Sequence, residues 1–569
     1  MNKSAFWLRN LIIPAVVLSA YCLIFAHYIS ALRQLPDGVN LAFTQALWPA
    51  MLGLAGIALM AYLLTLRMSA GASPPKDVLG NKLDWLLLLL PLTPVVQYLL
   101  KNQEILTLAD VSYLLGLFLV CSAMVVLLIP AILQQRASLS VLRISGLTFV
   151  FMLTNMAALS ASFRWFSEGE LKIQLSIVLA LFTLAFLLYR SKHRALLYLL
   201  IATYFISNGL ANWEAPATTG TDSLPLTQHP LLQAVADEPP AQTPNIYLLI
   251  YDSYVANETM LQYGIDNGEQ EEYLVQQGFR LYPHTYSIGG HSVASISTVL
   301  NASTDFYGNS RSGASGNGIV HEALQNLGYD TYGIFPSDFF FQGINSGYDV
   351  TFPESKPVAQ VLLDGILVGE FRFDIGFDSH TNAGFLQRKL QLFQEIPSSP
   401  LFHYSHSYLP GHSQNSGACL PNEKELYAKN VRLANQEMRM DLDTLLQFDP
   451  HAIIIVAGDH GPYLSKNCYS TSEGGYNLRE ITRYDIQDRF GTFLAIRWPT
   501  QTYKQYDQIV VLQDLFPAIF AYLYQDTSIL NVRIPPVILY EPSLVSGAYV
   551  EDGIIRGGVN DGEPLFISD

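Results

Sequence analysis

Residues 452–462 read AIIIVAGDHGP, and this stretch decides the fold of the C-terminal part of the chain. Its first six residues are apolar and rich in β-branched side chains, a pattern that predicts a short buried strand. After one glycine, Asp459 and His460 follow, and both are side chains of the kind that bind metal ions. The stretch therefore predicts a strand of an α/β sheet with functional residues at its carboxyl end.

A second stretch has the same form. Residues 245–251 read NIYLLIY, a continuous apolar run typical of a buried parallel strand, and Asp252 follows directly. In open α/β sheets the functional crevice lies outside the carboxyl ends of the strands, so Asp252, Asp459 and His460 are expected to converge. Carboxylate oxygens and imidazole nitrogen suit Zn²⁺, Mn²⁺ or Mg²⁺, so these three residues predict a divalent metal site.

The segments between these two strands alternate between helical and extended patterns. Residues 319–327 have the apolar spacing of an amphipathic helix, Gly328 supplies a stop, and residues 330–335 read as the next strand. Residues 401–405 are another candidate strand, and residues 427–448 have helical spacing. This alternation predicts an α/β domain.

Residues 286–302, YSIGGHSVASISTVLNA, supply a candidate nucleophile. Two glycines lead into His291 and Ser292, and the apolar spacing that follows predicts the start of a helix. A helix N-terminus favours phosphate oxygens, so Ser292 would lie where a phosphoryl group binds. His291, Ser287 and Thr285 are the alternatives to Ser292 in this segment.

The order of these residues resembles the sulfatase-like branch of the alkaline phosphatase superfamily, including its membrane-anchored phosphoethanolamine and phosphoglycerol transferases. An apolar strand ends in an acid, a glycine-led serine follows about forty residues later, a histidine lies in mid-domain, and Asp-His-Gly follows a late apolar strand. The resemblance covers residues 245–530. It implies an α/β/α sandwich that holds a hydrolase or transferase site.

The resemblance also implies roles for individual residues. Asp252, Asp459 and His460 would bind one divalent metal ion that also contacts the nucleophile Ser292, and Ser295 matches a second hydroxyl at the helix start. The mid-domain histidine matches His412 in residues 408–412, YLPGH, and would contact the phosphate or the leaving group. His403 and His406 are its alternatives.

Two departures from the family pattern bear on which ester is cleaved and on how many metal ions are bound. Sulfatases convert a Cys or Ser to formylglycine within a motif that has Arg four residues after the converted residue, whereas this chain has Ile296 four residues after Ser292. Sulfate ester cleavage is therefore disfavoured. Two-metal members have an Asp four residues before the matching histidine, whereas this chain has Tyr408. The sequence therefore predicts one metal ion.

The N-terminal part of the chain is apolar. The whole chain has 50% hydrophobic and 14% charged residues, and about seven apolar runs, each long enough to cross the hydrocarbon core of a bilayer, precede residue 212. They lie near residues 11–28, 43–66, 85–100, 111–133, 144–163, 173–189 and 195–210. The sequence therefore predicts an all-α polytopic membrane bundle.

The orientation of the bundle follows from its Lys and Arg residues, which are retained on the cytoplasmic side. One set of alternate connections holds most of them, namely Lys3, Arg9, Arg67, Lys76, Lys82, Arg136, Arg143, Arg190, Lys192 and Arg194. The other set holds Arg33, Lys101, Arg164 and Lys172. The N-terminus is therefore expected in the cytoplasm, and the C-terminal domain outside it, in the periplasm or its equivalent.

Three segments result: a transmembrane domain over residues 1–211, an extracytoplasmic linker over residues 212–244, and a sulfatase-like catalytic domain over residues 245–569. The linker is rich in Pro, Thr, Ala and Gln and has no Lys or Arg. An oxidising compartment would allow Cys419 and Cys468 to pair, but spacing alone does not decide between a disulfide and two thiols. The net charge of -16 argues against nucleic acid as a partner.

The leading functional hypothesis is a metal-dependent membrane phosphotransferase. It would move a phosphoryl headgroup from a membrane phospholipid donor onto an envelope glycan or lipid acceptor, through a phospho-serine intermediate at Ser292, with His412 as acid or base. A phosphodiesterase or phosphatase with water as acceptor is the alternative. A non-catalytic membrane binding or transport protein is a third hypothesis, which retention of a metal ion would argue against.

Overall fold

The computed structural model describes two compact units, residues 1–218 with 356–378 and residues 219–355 with 379–569. The described residues are, with scattered positions between 95 and 189, the ranges 82–92, 108–128, 194–211, 229–236, 239–305, 310–341, 346–356, 380–395, 400–413, 422–465, 482–536, 549–551 and 554–556. Cys419 and Cys468 lie outside them, as do the first two expected membrane spans.

The first unit is helical where it is described. It contains a 3₁₀ helix at Lys82–Leu92, helix α1 (Leu108–Ala123) continued by a π-helical turn at Met124–Leu128, and helix α2 (Arg194–Ala211). Among the described residues, one helical stretch, Val111–Leu128, is long and apolar enough to cross a membrane. It coincides with the fourth expected span. The seven-span bundle and its orientation stay predictions.

A buried polar cluster lies within this unit. Asp84 accepts hydrogen bonds from Arg143 at 3.0 Å, from Tyr189 at 3.2 Å and from Tyr198 at 2.5 Å. Arg143 also donates to the carbonyl oxygen of Val126 at 3.1 Å. A buried ion pair is stabilising only when further hydrogen bonds satisfy its remaining polar atoms, and this cluster meets that condition.

The second unit is built on a seven-stranded mixed sheet. In chain order its strands are β1 (Ile246–Tyr251), β2 (Arg280–Leu281), β3 (Asp330–Ile334), β4 (Val350–Phe352), β5 (Leu401–Ser407), β6 (Ile453–Gly458) and β7 (Leu494–Arg497). Their order in the sheet is β2-β7-β6-β1-β5-β3-β4, and β1 pairs in parallel with both β5 and β6. The strands expected at residues 245–251, 330–335, 401–405 and 452–457 are confirmed.

Two short strands, β8 (Tyr549–Glu551) and β9 (Ile554–Arg556), form a separate antiparallel pair. The described α-helices of this unit are α3 (Pro230–Val235), α4 (Asn257–Gln262), α5 (Gly268–Gln276), α6 (Ser292–Asn301), α7 (Ile319–Asn326), α8 (Asn382–Gln394), α9 (Glu423–Phe448), α10 (Arg483–Phe490) and α11 (Leu515–Tyr524). Helices α7 and α9 match the two expected from apolar spacing.

Helices cover both faces of the sheet because β1 is apolar at every position. Ile246, Leu248 and Ile250 face a core that includes side chains of α6, α7 and α11. The alternate residues Tyr247, Leu249 and Tyr251 face a second core, to which α9 contributes. Period-two alternation along a strand thus gives two separate cores, and the domain is a three-layer α/β/α arrangement as expected.

Helix α3 lies in the stretch that the sequence assigned to the linker. Its N-terminus is capped by His229, whose ring accepts a hydrogen bond from the backbone N–H of Leu231 at 3.1 Å. Leu231, Leu232 and Val235 are buried in the same core as α7 and α11. At least this part of residues 212–244 therefore packs on the second unit.

His321 of α7 makes the domain sensitive to acid. Its ring packs on Tyr348 and Phe402, neither ring nitrogen has a hydrogen-bond partner among the described residues, and burial lowers its pKa to about 3. Between that value and the unfolded pKa near 6.5, the folded chain binds fewer protons than the unfolded chain. The free energy of unfolding therefore falls as pH drops below about 6.5, by about 1.4 kcal/mol per pH unit.

We expect His321→Phe to remove this contribution. Between pH 7 and pH 5 the variant should lose about 2 kcal/mol less unfolding free energy than the wild type. Urea unfolding of the full chain in detergent, followed by near-ultraviolet circular dichroism at both pH values, measures the difference. His451→Phe, at an exposed turn, is the control. Parallel pH dependence of His321→Phe and wild type would contradict this explanation.

Candidate active site

The sheet brings the two strand-end motifs together. Tyr251 is in register with Gly458 of β6 and with Ser407 of β5, so the residues that follow all three strands emerge at one edge. The N–H of Asp252 donates to the carbonyl oxygen of Ser407 at 3.1 Å. Asp252, Asp459 and His460 converge at this edge as expected.

Hydrogen bonding decides which nitrogen of His460 faces the site. Nδ1 lies 2.8 Å from the carbonyl oxygen of Gly461, and a carbonyl oxygen can only accept, so Nδ1 carries the proton. Burial lowers the pKa of His460 to about 3, so the ring is neutral near pH 7 and Nε2 presents a lone pair. Nε2 lies 3.6 Å from Asp252 Oδ1 and 3.4 Å from Asp459 Oδ2. Three acceptors therefore face one another.

Asp459 is the most constrained of these acceptors. Its Oδ1 accepts from the N–H groups of Ser253 and His460, both at 2.9 Å, whereas no described residue donates to the buried Oδ2 with hydrogen-bond geometry. Ser253 holds this position with a positive φ of 59°, an uncommon conformation for a residue with a side chain. A buried acceptor without a donor is costly unless a cation or a ligand group satisfies it.

The two carboxyl groups differ in acidity. Burial raises the pKa of Asp252 well above its usual value, and the nearby charge of Asp459 raises it further. Burial alone would also raise the pKa of Asp459, but His460, His406 and the N–H of Ser253 outweigh it and lower that pKa. Asp459 therefore ionises first. A divalent cation would allow both groups to ionise, so these residues fit such an ion.

Ser292 lies at the first position of α6, as the sequence predicted. Its Oγ is 3.3 Å from Nε2 of His460, on the lone-pair side of that ring. The glycines before it permit close packing, since a Cβ on Gly289 would lie 2.4 Å from the backbone nitrogen of Ser295. Ser295 itself donates to the carbonyl oxygen of Asp459 at 2.6 Å, which ties the helix to the end of β6.

The alternatives to Ser292 have other partners. Ser287 donates to Ser295 Oγ at 2.7 Å, and Thr285 donates to the carbonyl oxygen of Tyr282 at 3.0 Å. The ring of His291 caps α6 by accepting from the N–H of Ala294 at 3.3 Å. Within this segment, Ser292 is the residue whose side chain contacts His460 in the described structure.

His412 lies at the same edge of the sheet. Its Nδ1 is 2.6 Å from the carbonyl oxygen of Ser413, so this nitrogen donates and Nε2 is left as an acceptor. Its ring centre is 5.6 Å from that of His460, and ligand atoms of Asp252, His412 and His460 lie within 4.8 Å of one another. Burial lowers the pKa of His412.

Of the two alternatives to His412, one belongs to the site. His406 Nε2 lies 3.5 Å from Asp459 Oδ2, and Asp252, His406 and Asp459 form a second group of potential ligands. His403 lies on the opposite face of β5, where its ring packs against Tyr247 and Phe393. Alternation along the strand separates the two histidines, and a position near the carboxyl end of β5 is the signal that distinguishes His406.

Two further residues have no signal in the sequence. Tyr463, with a positive φ of 60°, stacks its ring on His460 at 5.2 Å and 9°, and its hydroxyl donates to the carbonyl oxygen of Gly290. Arg489 of α10 places its guanidinium carbon 3.5 Å from the centre of the Tyr463 ring. Both residues reach the site because α10 packs closely against the segment after β6. The closeness is shown at Gly461, where a Cβ would lie 2.0 Å from the carbonyl oxygen of Asp488.

No family model matches the chain, and no curated protein matches it. The solved structures to which it is similar include the C-terminal periplasmic domain of EcEptC from Escherichia coli, at 12% identity and a TM-score of 0.35 over 55% of this chain and 93% of that one. A protein in the alkaline phosphatase superfamily from Vibrio parahaemolyticus is 15% identical, with a TM-score of 0.36, over 57% and 78%. The PsFucS1 sulfatase from Pseudoalteromonas sp. is 11% identical, with a TM-score of 0.33, over 58% and 83%. These three structures are a periplasmic domain, an alkaline phosphatase superfamily protein and a sulfatase, and the chain is similar to each of them.

Proposed function

We propose that the chain is a metal-dependent membrane phosphotransferase that moves a phosphoryl headgroup from a phospholipid to an extracytoplasmic glycan or lipid through a phospho-Ser292 intermediate. One observation carries this proposal. The hydroxyl of Ser292 stands at a helix N-terminus, 3.3 Å from a lone-pair nitrogen, beside two carboxyl groups. This arrangement suits an activated nucleophile and an anionic substrate.

Asp252, Asp459 and His460 would hold one divalent ion, with Ser292 Oγ beside it. The support is Oδ2 of Asp459, to which no described residue donates with hydrogen-bond geometry, and the unprotonated Nε2 of His460, since a ligand imidazole must be unprotonated. When bound, such an ion would lower the pKa of the adjacent hydroxyl and neutralise charge on a phosphoryl group. The carbonyl of Gly461 orients His460 through its Nδ1–H, the usual role of a partner to a ligand histidine.

The first step is attack by Ser292 on the lipid phosphorus. The Oγ–P bond forms and the bond between phosphorus and the diacylglycerol oxygen breaks. Neutral His412, whose Nε2 is available as an acceptor, takes the hydroxyl proton and passes it to the departing oxygen. The products are diacylglycerol and a phosphodiester on Ser292, so atoms and charge balance.

The second step reverses the first with a different alcohol. An acceptor hydroxyl attacks the phosphorus, the new P–O bond forms, and the Oγ–P bond breaks. His412 takes the acceptor proton and returns it to Ser292 Oγ, which restores the resting site. Water in place of the alcohol would give hydrolysis by the same residues.

The apolar N-terminal part supports a lipid donor. Its composition and runs are those of a membrane bundle, and the described helix Val111–Leu128 has the length and apolarity of a span. A bundle of this kind would keep the catalytic domain at the membrane surface, where phospholipid headgroups are concentrated. The two parts of the chain together support the proposal of a phospholipid donor.

Mass spectrometry of the full chain tests the proposal. Purified protein is incubated with detergent-solubilised phosphatidylethanolamine or phosphatidylglycerol and a divalent ion, then digested. We expect a headgroup-phosphate adduct on the peptide that contains Ser292, absent from Ser292→Ala and present in Ser297→Ala. Ser297 is the matched control because its buried hydroxyl lies on the same helix without a hydrogen-bond partner among the described residues.

Two other outcomes would contradict the transfer mechanism. Release of the free headgroup phosphate without any acceptor, at a rate that an added glycan or lipid alcohol does not change, would make the chain a hydrolase. An intact lipid pool with a metal ion bound would exclude both phospholipids as donors.

A further inference from the structure

Arg489 carries a buried charge that has no hydrogen-bond partner among the described residues. It lies in the last turn of α10, is 2% exposed, and none of its three guanidinium nitrogens has a hydrogen-bond partner among the described residues. The Arg guanidinium stays charged in proteins, so burial cannot neutralise it. A buried, unpaired charge is strongly destabilising unless a ligand compensates it.

The position of Arg489 connects it to the nucleophile. A Cβ on Gly290, two residues before Ser292, would lie 2.8 Å from Arg489 Nε. The guanidinium packs on the ring of Tyr463, whose other contacts include the stacked ring of His460. The side chain therefore lies against the glycine turn that leads into α6.

The backbone around Arg489 is anchored. Its carbonyl oxygen accepts from the N–H of Gly461 at 2.9 Å, and the next residue, Phe490, accepts from the N–H of Ser287 at 2.8 Å. Both bonds join α10 to segments of the active site. The guanidinium is thus held near the site by main-chain contacts that do not involve its own N–H groups.

Among the described residues, no acid pairs with Arg489. The adjacent carboxylate, Asp488, accepts hydrogen bonds from the hydroxyl of Tyr263 and from both the backbone and the side chain of Ser465. The carbonyl of Gly290 is already the acceptor for Tyr463. Both of these acceptors thus have other donors, and the hydrogen-bonding capacity of the guanidinium is left for an acceptor that a ligand would supply.

We propose that Arg489 is the anion-binding residue of this site, which pairs with the non-attacked oxygens of the phosphoryl group that Ser292 attacks. A guanidinium matches two oxygens of a tetrahedral anion with two parallel N–H donors. The first-turn N–H groups of α6 that His291 does not cap favour the same anion. The inference deepens the proposed function and rests on it for the identity of the ester.

The test uses inorganic phosphate as the probe, with the full chain in detergent and isothermal titration calorimetry as the measurement. We expect Arg489→Gln to raise the Kd for phosphate at least about tenfold, since a buried charge-assisted pair is lost. Arg489→Lys keeps the positive charge but loses the paired N–H donors of the guanidinium. Its Kd for phosphate should therefore lie between those of Arg489→Gln and wild type. Arg439→Gln removes a half-exposed arginine of α9 and should bind as wild type does.

Unfolding temperatures show whether a variant loses phosphate binding because it is misfolded or because the arginine is absent. Because Arg489→Gln removes an unpaired buried charge, its unfolding temperature without phosphate should equal or exceed that of wild type. Phosphate should raise the unfolding temperature of wild type and not that of the variant. If Arg489→Gln proves unstable, Arg489→Lys decides, and phosphate binding equal to wild type in that variant overturns the assignment.

The outcomes separate this inference from the proposed function. Phosphate binding and adduct formation are separate measurements, so either can be lost while the other is kept. Arg489-dependent phosphate binding without any adduct on Ser292 would support the anion site and contradict the transferase. An adduct on Ser292 together with phosphate binding that does not depend on Arg489 would support the transferase and overturn the anion site.

Discussion

Replacing Ser292 with alanine is expected to lower kcat for headgroup transfer by about a thousandfold or more, because the variant has no oxygen to form the phosphodiester intermediate. The substitution removes a single atom at the start of α6, and the capping contact from Ala294 to His291 does not involve it. Steady-state formation of diacylglycerol from phosphatidylethanolamine or phosphatidylglycerol measures the effect. Unfolding temperature and metal content should change little.

Ser297→Ala is the matched control for this experiment. It removes a buried hydroxyl from the same helix, at a position without a described hydrogen-bond partner, so turnover should stay within about twofold of wild type. Equal loss of turnover in both variants would assign the effect to the helix and not to the hydroxyl. Turnover of Ser292→Ala near that of wild type would exclude a phospho-serine mechanism, and direct attack by the acceptor would then replace it.

Asp459→Asn is expected to remove the metal ion. The amide keeps the size of the carboxylate but loses its charge, and its NH₂ can donate to the Nε2 of His460, which lies 3.4 Å from Oδ2. The three-acceptor arrangement would then be satisfied without a cation. Metal affinity should fall by about a hundredfold or more, and turnover should fall with it.

Elemental analysis of the purified full chain gives the metal content directly. Wild type treated with a chelator should lose both metal and turnover and regain them when one of Zn²⁺, Mn²⁺ or Mg²⁺ is added back, whereas Asp459→Asn should regain neither. Asp443→Asn is the control, because Asp443 is an exposed acid of α9 whose side chain contacts Tyr273. An ion retained at wild-type stoichiometry in Asp459→Asn would show that the metal lies elsewhere.

The substitutions Ser292→Ala and Asp459→Asn change two side chains that contact the same nitrogen, Nε2 of His460. Ser292 Oγ and Asp459 Oδ2 both face Nε2 of His460, so the nucleophile and the carboxylate share a neighbour. Loss of the ion should therefore lower the reactivity of Ser292 even though the serine is present. Adduct formation that survives in Asp459→Asn would separate the nucleophile from the metal and contradict a shared site.

The sequence by itself determined which strand ends and which helix start carry the candidate site residues. The continuous apolar runs before Asp252 and Asp459 predicted buried strands, and the apolar spacing after the two glycines before Ser292 predicted the start of a helix, because these patterns are local. The strand-end rule for α/β sheets then predicted that Asp252 converges with Asp459 and His460, and the structure brings these two strand ends together. The chemical roles of the residues stay predictions that the experiments above test.

Only the tertiary structure decided which of several equivalent side chains face the site. His403 and His406 lie three positions apart on β5, and the alternation of the strand sends one into a core and the other to Asp459. Ser287 and Thr285 are engaged in packing contacts that no local pattern predicts. Tyr463 and Arg489 reach the site because α10 packs on the segment after β6, a contact between residues distant in the chain. Local patterns determine where strands end and helices begin, whereas the positions of such side chains depend on the packing of whole elements, which no single segment encodes.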